Sequence, residues 1–192
     1  MRELLARLRG YLFRCGCRVW RPNVSIGEGL KLFAKLEIRG EGRVVLGANC
    51  VIARVPGDRR HYVTIYTHSP LAKVSIGKDA VLYSARISSR FSISIGDRVA
   101  IEESQIADTD FHSMSLDRGD PKENAVECRV NIGDEVLVGA RCVICKGVTI
   151  GNNVSILPGS IVNKSVPTGA AVCGNPAKAI VMQSASATAT ER

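Results

Sequence analysis

The sequence is poor in aromatic residues: one Trp, four Tyr and four Phe among 192 residues. A core of that composition is not built from stacked rings, so small aliphatic side chains in regular ranks are expected. Long hydrophobic runs are missing as well. None approaches the roughly 20 residues of a membrane span, and arginines interrupt each apolar stretch near the N-terminus before it reaches the length of a secretory h-region. The seven cysteines are an odd number with no compact secreted framework, and reduced thiols in a cytoplasmic protein are the simplest reading. Also absent are a G-x-x-x-x-G-K-[ST] loop, a G-x-S-x-G elbow and a G-x-G-x-x-G turn after a strand. The commonest phosphate-loop, hydrolase and dinucleotide-binding chemistries therefore have no sequence support.

Charge is unevenly spread. The chain carries +8, and residues 1–21 hold Arg2, Arg7, Arg9, Arg14, Arg18 and Arg21 against Glu3 alone, a local balance of +5. Only +3 is left for everything else, so a nucleic-acid face spread over the whole chain is not supported. The same segment places Leu4, Leu8, Leu12, Cys15 and Val19 near one helical face. Two readings are open: a helix packed on the open end or side of the main domain, or a basic amphipathic helix resting on an anionic membrane surface.

From Val130 onward the chain reads in sixes, opened by Ile132, Val138, Ile144, Ile150 and Ile156, with Val136, Cys142, Val148, Val154 and Ser160 four places later. The beat appears earlier at Ile26, Leu46, Ile76 and Ile95, with interruptions at 53–73 and 112–127. A six-residue period is the signature of a parallel β-helix, in which each hexad makes one short strand and a turn. Three hexads close a triangular coil of 18 residues, as from Ile132 to Ile150. The opening aliphatic residue points inward, the small residue fits the narrow interior, and Gly, Asn or Asp turns the corner. The expected organisation is a basic helix over 1–22, a β-helix over 23–181 and a disordered tail over 182–192.

Three stretches carry a family resemblance: Ala107-Asp-Thr-Asp-Phe-His-Ser-Met-Ser, the coils from Ile132 to Val162, and Val172-Cys-Gly-Asn-Pro-Ala-Lys-Ala-Ile. Together they resemble the hexapeptide-repeat acyltransferases, in the maltose, galactoside and polysaccharide O-acetyltransferase branch. The resemblance implies an all-β, left-handed parallel β-helix that forms a homotrimer and moves an acetyl group from acetyl-CoA to a sugar hydroxyl of a polysaccharide, glycolipid or saccharide precursor. A hydroxyl is a poor nucleophile near neutral pH, so a base must take its proton, and histidine has a suitable pKa. By the resemblance that base is His112, oriented by Asp110 or Asp108. The backbone N–H of Ala140 is then the donor to the developing oxyanion. Leu137, Gly139, Pro158, Gly159 and Asn163 line the cofactor groove between neighbouring subunits, and Lys164 and Lys178 meet the CoA phosphates. The chain departs from the family at Glu102, where Gly is usual, and at Leu137, where a Trp is common.

Rival readings are weaker. A zinc hydratase of the γ-carbonic anhydrase kind needs three imidazoles; His61, His68 and His112 meet the count but not the spacing, so no metal is expected. Cys142-x-x-Cys145 has no second pair, and Cys142 takes an inward small position. A non-catalytic scaffold has no use for a loop histidine or a Gly-Asn-Pro-Ala-Lys edge. An amino-sugar N-acetyltransferase would use the same base and groove.

Overall fold

The computed structural model describes residues 1–55, 57, 61–110 and 125–181. After one helix, α1 (Arg2–Trp20), short strands follow one another around a three-sided prism. The first face stacks Val24–Ile26, Arg43–Leu46, Lys73–Ile76, Ser92–Ile95, Val130–Ile132 and Thr149–Ile150. The second runs from Lys31–Leu32 through Val51–Ala53, Val81–Tyr83, Ala100–Glu102, Leu137–Val138 and Ser155–Ile156 to Ala171–Cys173. Lys178–Ile180 closes it as an antiparallel edge. The third face stacks Leu36–Arg39, Val63–Thr67, Arg86–Ser89, Gln105–Ala107, Val143–Ile144 and Ile161–Val162. Every neighbouring pair within the three ladders is parallel except that final edge.

The hexad rule explains the core. Ile132 pairs with Ile150 and Val138 with Ile156, the 18-residue step read from the sequence. Both the opening residues and the small residues from Val136 to Ser160 are buried to 3% exposure or less. Each fully buried Ile, Leu or Val contributes roughly 1.5–3 kcal/mol, but only while the next coil covers it. Among the described residues no aromatic side chain is buried, in keeping with their scarcity.

At the corner between the first and second faces, the polar residue after each glycine has a second use. The N–H of Lys78 donates to Asp97 Oδ1, that of Asp97 to Asp134 Oδ1, and that of Asp134 to Asn152 Oδ1, at 2.8–2.9 Å. Asn152 continues the ladder to Thr168. Each side chain thus satisfies a backbone donor of the preceding coil that no strand pairing reaches.

The excursion expected over 53–73 is shorter in the structure. Val63–Thr67 is a regular strand of the third face, paired on both sides. Its alternation was hidden because Thr64, Tyr66 and Thr67 look like loop residues in sequence.

α1 covers the open edge of the first coil, but not with its leucines. Its packed face is Ala6, Gly10 and Cys17, with Phe13 partly buried against the core. A Cβ on Gly10 would lie 1.9 Å from the carbonyl oxygen of Leu30, so the helix backbone sits directly on the coil. Arg14 Nε donates to the Ile26 carbonyl at 3.1 Å, and Arg21 donates to the carbonyls of Ile38 and Gly40. These arginines satisfy edge carbonyls that no further strand reaches. Leu4, Leu8, Leu12 and Val19 are left exposed.

In a free helix Gly→Ala would stabilise by about 1 kcal/mol. Here Gly10→Ala is expected to destabilise by about 1–3 kcal/mol, because the methyl group meets backbone rather than a yielding side chain. Chemical denaturation of the two proteins checks the sign.

Candidate functional site

The long excursion leaves the prism after the third-face strand Gln105–Ala107. Its root is fixed by Asp108, which is fully buried. Ser89 Oγ donates to its Oδ2 at 2.7 Å, Arg90 N–H to Oδ1 at 2.7 Å and Phe91 N–H to Oδ2 at 2.9 Å. Both carboxylate oxygens are therefore engaged by the turn one coil earlier. Asp110 faces the other way along the stack, with Oδ2 2.5 Å from Lys146 Nζ. His112 lies outside the described residues. On the return side, Ala125 and Arg129 join Lys73, Arg90 and Phe91 around a cleft of about 510 Å³. Three cations converge there, Lys73 and Arg90 from the start and end of one coil and Arg129 from the start of a later one, which their positions in sequence do not announce.

The strand register locates the other expected residues. Leu137 is exposed on the second face. Gly139 and Ala140 turn the corner from the second to the third face, with Pro158 and Gly159 stacked on them: a Cβ on Gly139 would meet Pro158 at 2.8 Å, and the Ala140 carbonyl accepts from Gly159 N–H at 2.9 Å. Lys178 pairs with Cys173 on the closing edge of the same face. The Ala140 N–H has no acceptor among the described residues. The coil above offers proline at that position, not the Asp or Asn that serves the neighbouring corner.

Asn163 and Lys164 stand elsewhere. Ile106, Ile144 and Val162 form one column, so Asn163 and Lys164 continue beyond the third face, above Asp108 and Lys146. The expected site residues thus divide into two groups at the two edges of the third face. Gly139, Ala140, Pro158 and Gly159 lie at one edge, with Leu137 and Lys178 on the adjoining second face; Asp108, Asp110, Asn163 and Lys164 lie at the other.

Sequence reading missed two further features of the third face. A groove of about 360 Å³ beside Ala140 is lined by His61, Ser84, Arg86, Gln105 and Arg141, among others. Near the start of the stack, Glu37 receives Lys35 Nζ at 2.6 Å, the Tyr62 hydroxyl at 2.8 Å, the Tyr66 hydroxyl at 3.4 Å and the Arg39 guanidinium. The Lys35 ammonium first, then the Tyr62 hydroxyl, holds the Glu37 carboxyl down at about 2. Burial raises the thiol pKa of Cys142 and Cys145, which makes both poorer thiolates and fits packing rather than redox chemistry. Among the described residues, no three His, Cys, Asp or Glu side chains are grouped to hold a metal ion.

Residues 129–164 match the family model described as bacterial transferase hexapeptide (six repeats). Over that stretch the coils are similar to the hexapeptide repeats of bacterial transferases. The repeat chain is 49% identical over 51 residues to the 2,3,4,5-tetrahydropyridine-2,6-dicarboxylate N-acetyltransferase of Staphylococcus aureus, a match over 27% of this chain and 21% of that protein. It therefore spans only about a fifth of the curated relative's length. Among solved structures it resembles the polysialic acid O-acetyltransferase OatWY, at 24% identity over 87% of this chain and 79% of the other, with a TM-score of 0.66. It also resembles AntD, an N-acyltransferase from Bacillus cereus crystallised with dTDP and 3-hydroxybutyryl-CoA, at 17% identity over 85% of both chains, with a TM-score of 0.65. At these identities the likeness is one of fold, the left-handed parallel β-helix.

Two expectations follow from the geometry. Asp108→Ala should cost about 2–4 kcal/mol of stability, because it leaves the buried Ser89 hydroxyl and two backbone donors unpaired; Asp108→Asn, which keeps one acceptor, should cost less in the same denaturation measurement. Glu37 has its folded pKa below the ordinary 4.5, so its contribution to stability is complete above that value and fades as pH falls from about 5 towards about 2. Glu37→Gln should flatten the stability profile across that window and leave its shape near neutrality unchanged.

Proposed function

We propose that the chain is an acyltransferase that moves an acetyl group from acetyl-CoA to a saccharide hydroxyl, with His112 as general base. The observation that carries the reading is the open N–H of Ala140, at a corner where proline replaces the acceptor that serves the neighbouring corner. In the reaction, the His112 imidazole takes the hydroxyl proton as the oxygen attacks the thioester carbonyl carbon. The Ala140 N–H donates to the oxygen that becomes negative. The C–S bond then breaks, and the imidazolium returns its proton to the departing thiolate. Asp110 is the carboxylate we assign to orient His112; Asp108 holds the root of the loop. Lys73, Arg90 and Arg129 beside that root suit an acceptor that carries carboxylate or phosphate groups.

A homotrimer belongs to the same proposal. One chain holds the Ala140 group and the His112 root at opposite edges of its third face. A neighbouring copy that presents its loop edge to the Ala140 edge completes the site. Lys178 and Lys164 then serve the CoA phosphates from the two sides.

Amine acetylation is the second reading. It is favoured by the names of two similar proteins, the Staphylococcus aureus N-acetyltransferase and the Bacillus cereus N-acyltransferase. Parallel assays with neutral sugars, acidic sugars and amino sugars, reading free CoA thiol, decide between the acceptors.

His112→Ala should lower kcat by roughly a hundredfold to ten-thousandfold with acetyl-CoA affinity little changed; retention of more than about a tenth of the native turnover overturns the mechanism. Ala140→Pro deletes only the donor, at a position where the next coil already accommodates Pro158. It should fold normally and lose about a hundredfold to a thousandfold in kcat. Mixed trimers made from the two inactive variants should regain activity, since some interfaces then unite a native His112 with a native Ala140. No recovery on mixing, or a monomer by sedimentation equilibrium, counts against the shared site.

A further inference from the structure

The two uses considered for the N-terminal helix are compatible, because they fall on opposite faces. At 100° per residue, Leu4, Leu8, Tyr11, Leu12 and Val19 occupy an arc of roughly 100°. Its centre lies opposite Ala6, Gly10, Phe13 and Cys17, the face that packs on the first coil. The arc is therefore turned squarely away from the protein. Its members are from 52% exposed at Leu8 to 73% exposed at Leu4, although burial of such side chains is the usual outcome in a folded domain.

The flanks of the arc are cationic. Arg7 and Arg18 lie along one side and Arg2 and Arg9 along the other, and Glu3, the one carboxylate of the helix, pairs with Arg7 and Lys31. The arc also adjoins a cleft of about 700 Å³ whose lining includes Arg9, Leu12, Phe13, Phe33, Lys35 and Arg54, again apolar and cationic together. No helix of the described residues is long and apolar enough to cross a membrane. An apolar arc between two rows of arginines is the pattern of a helix that lies in the plane of a lipid interface.

We propose that this outer face of α1 docks on an anionic lipid surface, with the leucines in the acyl boundary and the flanking arginines on headgroup phosphates. The inference does not rest on the acetyl-transfer reading. A second copy is the less favourable occupant. Two such faces brought together oppose two sets of arginines, and each charge is drawn instead to a surface that carries the opposite sign.

The test uses the full chain with vesicles of phosphatidylcholine alone and of phosphatidylcholine with phosphatidylglycerol. Co-sedimentation should be strong only with the anionic vesicles and weaken as salt rises. Leu8→Glu/Leu12→Glu changes only exposed positions, so it should keep the native melting temperature and lose binding by about tenfold or more. Arg2→Gln/Arg9→Gln/Arg18→Gln should lose about fivefold per arginine at low salt. Native protein that fails to pellet with anionic vesicles, or that pellets as well after Leu8→Glu/Leu12→Glu, overturns the proposal. So does a change in oligomeric state of that variant without lipid, seen by sedimentation velocity, since it identifies the face as a contact between copies.

Discussion

Every other feature of this molecule depends on a coil having nothing to bury itself against except the next coil. A single turn of three short strands has no interior of its own. Its inward Ile, Leu and Val become a core only when another turn is laid over them, and its backbone groups find partners only in the turns on either side. That requirement fixes the six-residue beat, because a shifted beat turns aliphatic residues outward in one coil and leaves the next uncovered. It also concentrates the cost of the architecture at its ends. At one end, α1 covers the first coil and arginine side chains stand in for the missing strand. At the other, Lys178–Ile180 folds back antiparallel on the second face.

The same repetition makes exceptions informative. Corners that face the first and second faces pass hydrogen bonds up the stack through Asp97, Asp134, Asn152 and Thr168. The corner at Ala140 carries no such relay, and the excursion that follows Asp108 is the longer of the two that interrupt the coils. These two departures stand at opposite edges of one face. Under the proposed mechanism each edge supplies half of the site, which only a neighbouring copy completes.

The prism was legible because a period of six survives in the order of residues. The buried small positions from Val136 to Ser160 were readable for the same reason. What the sequence hid was relation across coils. Asp108 stands close to His112 in the chain and so reads as its companion, yet its partners Ser89, Arg90 and Phe91 come from the preceding coil. Lys73, Arg90 and Arg129 converge through register, and nothing local marks them as a group. The helix was misleading in another way. A stripe of leucines looks like the face that packs, but the end of a β-helix exposes backbone carbonyls, which call for close approach at Gly10 and for donors such as Arg14 and Arg21.

The capping helix also turns the number of coils into a length. Parallel strands rise by about 4.8 Å per layer, and the third face climbs three layers from Leu36–Arg39 to Gln105–Ala107, where the excursion departs. The root of that loop is therefore carried roughly 14 Å along the stack from the first coil, on a scaffold too stiff to bend towards the helix. Whatever surface α1 rests on, the root of the loop is held at a set standoff from it. That distance is adjustable only in whole layers, so inserting or deleting one coil would move the loop root by a single rung without altering the residues that fix it.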